Sequence, residues 1–261
     1  MHARQDTTTG SDATLIPRHV GGWSLIAAAP LFWLAWFLMP EPGTVDAGFI
    51  LRAIAEQRSA VLLSAILQTL CAVAIVPAVL SVAASSSRLI RVGAVLTLVG
   101  ALGNAADAVY HQMAYEMTAM DVDRTAMLPV MTRMQTEQIW LLVPLLLSFF
   151  PGAACLCIGL AREGRAPRRV WRLFALALGI GLAGVATALT LGSRPRPFTL
   201  SALALFSLAL GATGWYMCVI VEQNIVIRAV ARFVAYSMNI KAVSFYEKEA
   251  EAIDAARRLR A

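Results

Sequence analysis

Asp107 and His111 stand four residues apart in an otherwise apolar stretch, so on a helix they share one face. Asn104 and Tyr110 fall within about two turns of them, and Glu137 opens the next apolar stretch at the same expected level. A carboxylate and an imidazole on one face can do three kinds of work. With Glu137 as a third ligand from another helix, they can bind a metal. With Asp107 tuning the imidazole, they can pass a proton. They can also form a hydrogen-bonded cap in the wet interfacial region of a membrane. The candidate polar site is therefore Asn104, Asp107, Tyr110, His111 and Glu137, with Asp107, His111 and Glu137 as the only metal-ligand candidates. Two of the chain's three histidines, His2 and His19, lie far from this cluster, which argues against a polyhistidine centre. The chain has no nucleophile elbow, phosphate-binding loop, dinucleotide fingerprint or HExxH pair, so no catalytic residue is assigned and no cofactor is implied.

The elements that position these residues are membrane spans. Of 261 residues, 59% are hydrophobic and only 15% charged, and the mean hydropathy is +0.68. Soluble domains carry about 25% charged residues. A helix crossing a hydrocarbon core needs about 20 apolar residues, and six stretches qualify: Val20 to Met39, Ala60 to Ala84, Leu89 to Tyr110, Ile139 to Leu160, Val170 to Leu191 and Phe198 to Val221. Backbone polar groups in lipid must be satisfied internally, which requires helices here, because none of the runs alternates as a barrel strand would. The first stretch lacks a small-residue cleavage site after its apolar run and reads as a retained helix, not a signal peptide. The expected fold is an all-α polytopic bundle. Residues 1–19 form an N-terminal segment, 20–221 the six-span domain, and 222–261 a tail.

Basic residues set the orientation. With both termini in the cytoplasm, sixteen Arg and Lys lie inside and six outside. Trp23 and Trp171 then mark inner ends, and Trp36 and Trp140 outer ends, as interfacial indoles do. The net charge of +6 is thereby explained by topology. No basic run is interleaved with aromatics as nucleic-acid binding would require. The four cysteines all fall within spans and read as small apolar residues.

The loop from His111 to Gln138 holds six of the ten methionines. Met113, Met117 and Met120, and again Met127, Met131 and Met134, have the spacing of stripes on two short helices. A flexible apolar face covering the mouth of the bundle is preferred to a thioether metal site, because no cysteine and only His111 join them. Beyond the sixth span, Arg228 and Arg232 argue against a seventh. The tail is expected to form an amphipathic surface helix or to continue the sixth span.

Three stretches, Met39 to Gly43, Ile54 to Gln68 and Gly159 to Gly179, carry a resemblance in layout to a broad group of six-helix bacterial inner-membrane proteins of uncharacterised role. That resemblance implies the architecture and a bacterial cytoplasmic membrane, and it brings no activity or functional residue with it. Two functions are expected from the residues. One is binding or moving a small solute, ion or lipid near the outer mouth. The other is a membrane-anchored regulatory or assembly partner acting through residues 222–261. Membrane lipids are expected partners in either case, and nucleic acid is not.

Overall fold

The computed structural model describes residues 16–40, 46–137, 139–164, 166, 169–191 and 196–237. Among them are eight helices and no strand: α1 (Arg18–Leu38), α2 (Ala47–Glu56), α3 (Arg58–Leu80), α4 (Arg88–Glu116), α5 (Arg124–Glu137), α6 (Ile139–Arg162), α7 (Arg169–Leu191) and α8 (Arg196–Ser237). Six of these, α1, α3, α4, α6, α7 and α8, are long and apolar enough to cross a membrane, matching the six expected stretches. The two remaining helices, α2 and α5, lie at one end, between α1 and α3 and between α4 and α6. That end is termed the cap end below.

Local chemistry sets several boundaries. Asp46 caps α2 by accepting from the Phe49 amide at 2.8 Å, and the Ser87 hydroxyl accepts from the Ile90 amide at the start of α4. Gly164 takes a φ of 69° just after α6, a left-handed turn that glycine adopts without Cβ strain. The chain between α3 and α4 is short, which makes them antiparallel neighbours.

Each span packs on one or two others in the order α7, α8, α1, α3, α4, α6, and the last of these only brushes α7. The largest contact is α4 with α6. Lipid tails are as apolar as leucine, so membrane helices adhere through close packing of small residues more than through exclusion of water. Gly93 and Gly100 show this: a Cβ at either position would collide with the α6 backbone, at Leu156 or Phe149. Gly152 of α6 returns the arrangement against Thr97. Across the centre, Phe206 of α8 meets Phe32, Phe149, Phe150 and Phe174 with ring centroids 4.9–5.6 Å apart. These rings tie α1, α6, α7 and α8 into one core.

Four expectations change. The third span does not stop at Tyr110; α4 runs on to Glu116, about 43 Å in all at ~1.5 Å per residue. The first methionine triplet is therefore no stripe: Met113 is half exposed on α4, Met117 is buried at its cap, and Met120 is fully exposed in the turn beyond. Glu137 ends α5, not the start of the following span. Trp36 does not sit simply at the interface. It packs against the core, 6.4 Å from the Phe32 ring, and its Nε1 is buried. Trp23 and Trp140 are well exposed.

The second methionine triplet behaves as a covering face. Met131 and Met134 are buried in a separate small core with Ala47, Leu51 and Ile54 of α2, Val61 of α3 and Ala114 of α4. A single apolar patch thus seats α2 and α5 over the ends of α3 and α4. Arg58 fastens the same place. Its guanidinium donates to the Tyr115 carbonyl at 3.0 Å and to the Thr118 hydroxyl at 2.9 Å, and lies 3.9 Å from the Tyr115 ring centroid. At the other extreme, α8 continues unbroken to Ser237, so the expected tail begins as an extension of the sixth span. Residues 1–15, the turn at 41–43 and the tail beyond 237 lie outside the described residues.

Candidate functional site

The cluster is assembled where α3 and α4 run side by side. Asp107 is 5% exposed and turned toward α3, not toward lipid. Its Oδ2 accepts from Nε2 of Gln68 at 3.1 Å. Asn104, one turn earlier on α4, donates through Nδ2 to the Gln68 backbone carbonyl at 3.2 Å. His111, one turn later, places Nδ1 2.8 Å from the Asp107 carbonyl oxygen and 3.3 Å from Oδ2. A carbonyl can only accept, so that contact puts a hydrogen on Nδ1 and leaves Nε2 as the variable position. The His111 side chain keeps 14% of its surface exposed and is the only member at the edge of the cluster.

Tyr110 belongs to the neighbouring cap. Its hydroxyl accepts from Nε2 of Gln135 and donates toward the Met131 sulfur at 3.7 Å, and its ring stands edge-on to His111 at 5.2 Å. Tyr110 therefore links the polar cluster to α5. Four of the five sequence-selected residues are thus contiguous. Glu137 is the exception. It is exposed on α5 and lines a surface cavity of about 360 Å³ with Pro129, Val130, Arg133 and Met134. No hydrogen bond or ion pair joins it to Asp107 or His111. Among the described residues no three His, Cys, Asp or Glu side chains are grouped as metal ligands. The geometry gives the three-ligand metal reading no support.

Gln68 is the residue that sequence reading left out, as one isolated polar group among several. It is fully buried and touches both Asn104 and Asp107. A signal was present: residues equally distant from the link expected at 85–88 come level in an antiparallel pair, which sets 68 near 105, beside Asn104. Gln68 also fixes the depth. It stands ten residues after Arg58 and twelve before Leu80, close to the midpoint of α3. The carboxylate is thus held deeper than its place on the longer α4 suggests. Ionisable groups at such depth are expensive to bury and face protein or water.

Two acceptors in the cluster have no partner: Oε1 of Gln68 and Oδ1 of Asn104. The amide orientations follow from their neighbours. Reversing Gln68 would set an oxygen against the Asp107 carboxylate, and reversing Asn104 would set one against a carbonyl. Buried acceptors without a donor are uncommon. By contrast, the two serines that link α1 and α3 are matched: Ser64 donates to the Ala35 carbonyl at 2.7 Å, and Ser24 donates to that of Ala74.

No family model, curated protein or solved structure matches the chain. The class defined by fold and composition is a helical bundle in which, among the described residues, six helices are long and apolar enough to cross a membrane.

Proposed function

We propose that the protein binds, and by extension moves, a small solute or ion at the site centred on Asp107. In this reading it is a multi-pass protein of a bacterial cytoplasmic membrane, with both termini in the cytoplasm and the cap end outside. The carrying observation is a carboxylate buried level with the middle of α3 and held by Gln68 and His111. A bundle needing only adhesion has a cheaper solution, which it already uses between α4 and α6. The test uses the full-length protein in nanodiscs. Asp107→Asn should fold with the parent's elution and melting behaviour yet lose the ligand-induced stabilisation that a panel of ions and small solutes produces in the parent. A panel that stabilises parent and variant equally would refute the site. Topology is tested separately: a periplasm-only reporter fused after Ala261 should be inactive.

A second reading is favoured by one observation. The helix α8 extends sixteen residues past Val221, the end of the expected sixth span, to Ser237. At ~1.5 Å per residue that is about 24 Å of helix beyond the span, enough to present a docking segment to a protein partner. Deleting residues 222–261 should then abolish the cellular role while Asp107→Asn leaves it intact. The opposite pattern supports the solute site.

A further inference from the structure

We infer that the ligand of this site is a monovalent alkali cation, coordinated by the Asp107 carboxylate together with Oε1 of Gln68 and Oδ1 of Asn104. The inference rests on the site reading above and names its ligand class. Both amide oxygens are at least nine-tenths buried and lack a donor: the Gln68 side chain is bonded to the carboxylate, and the Asn104 side chain, one turn from Asp107 on α4, to the Gln68 backbone carbonyl. A hydrogen-bond donor or a cation is what such oxygens require.

The donor set selects the ion. It consists of oxygens alone, the choice of hard cations; zinc and copper prefer imidazole or thiolate. Cys71, Cys155, Cys157 and Cys218 form no disulfide, and Cys71 and Cys218 donate to the carbonyls of Ala28 and His19, away from the cluster. One carboxylate balances one positive charge, and in a low-dielectric interior an unbalanced second charge would be heavily penalised. That excludes calcium and magnesium, which are held by more carboxylates or by waters. The His111 nitrogen that faces Asp107, Nδ1, carries a hydrogen and so cannot coordinate. The two helices contribute complementary ligands, Gln68 from α3 and the other two from α4. A bound cation would therefore lock these helices together.

The experiment measures thermal unfolding of the full-length protein in nanodiscs, titrating NaCl, KCl or LiCl against N-methylglucamine chloride at constant ionic strength. At least one alkali cation should raise Tm along a saturating curve. Asn104→Leu, which removes one ligand and no charge, should move the half-saturating concentration upward by tenfold or more. Asp107→Asn should abolish the response. If Asp107→Asn does not fold, the Asn104→Leu shift decides alone. A parent Tm indifferent to all three cations, or a response unchanged in Asn104→Leu, overturns the cation and leaves an ordered water as the partner of both oxygens. A parent indifferent to cations whose other solute response still vanishes in Asp107→Asn removes the cation class and keeps the site. Loss of both responses as discriminators removes the site as well.

Discussion

Toward α6, α4 presents Gly93, Gly100 and Gly103, and the two backbones come together with no polar side chain from α6 between them except Ser148, whose hydroxyl is bonded to helix carbonyls. Toward α3, the same helix presents Asn104 and Asp107, and meets a buried glutamine. The first face gains dispersion contact by bringing backbones close, a gain available in lipid because no other driving force is. The second face buries a carboxylate and leaves two acceptors without donors. One face is built to adhere and the other tolerates a penalty that adhesion alone would not explain. Substitutions that exchange the characters of the two faces test this contrast directly.

The largest effect should come from the adhesive face. Gly100→Leu forces a branched side chain into the Phe149 backbone, and overpacking of this kind costs about 1–3 kcal/mol even where neighbours can yield. Backbone yields little, so the loss should reach or exceed the top of that range, read as a lower unfolding midpoint in micelles. A loss below about 0.5 kcal/mol, the ordinary scatter of surface changes, would show that α4 and α6 are not held by close approach.

The next effect is on the polar face. Gln68→Leu removes the amide donor from a buried carboxylate, which should destabilise by about 1–3 kcal/mol. The double variant Gln68→Leu, Asp107→Leu should recover most of that loss, because replacing a buried polar group together with its partner is often neutral or stabilising. The non-additivity between single and double variants measures the coupling. Additive losses would mean that Gln68 matters for shape and not for the carboxylate.

Asn104→Leu sharpens the comparison further. It removes one hydrogen bond and one orphaned oxygen, and leaves the Gln68 carbonyl free to serve the α3 helix. Stability should be unchanged or raised by up to about 1 kcal/mol, while any ligand response weakens. A clear destabilisation would assign Asn104 to the fold.

What could be read from the chain divides along the same line. The spans were legible because twenty-residue apolar runs have no soluble alternative. Asp107 and His111 were legible because i, i+4 spacing is local information. Gln68 was not, since its role depends on the register between two helices and a lone glutamine carries no mark of its partner. Glu137 misled for a related reason. Its place at the head of an apolar run suggested the next span, but α5 takes it as a last residue and turns it outward. The methionines misled by half: the triplet on α5 packs against α2, whereas of the first triplet only Met117 joins that small core, a partnership that sequence spacing could not supply.

The smallest effect concerns the one buried hydroxyl that α4 carries on its adhesive side. Thr97 is 1% exposed, and its hydroxyl donates to the Gly93 carbonyl at 2.7 Å within its own helix. That carbonyl is an ordinary helix acceptor, so the bond satisfies the hydroxyl and adds little to the contact with Gly152. Valine keeps the branched shape and exchanges the hydroxyl for a methyl in an apolar groove. Thr97→Val should therefore alter stability by no more than about 0.6 kcal/mol, the average worth of such a bond in a membrane bundle, and should leave the cation response untouched. A cost approaching that of Gly100→Leu would mean that the hydroxyl bridges the two helices. The face toward α6 would then be polar in function as well, and the contrast between the two sides of α4 would fail at its simpler side.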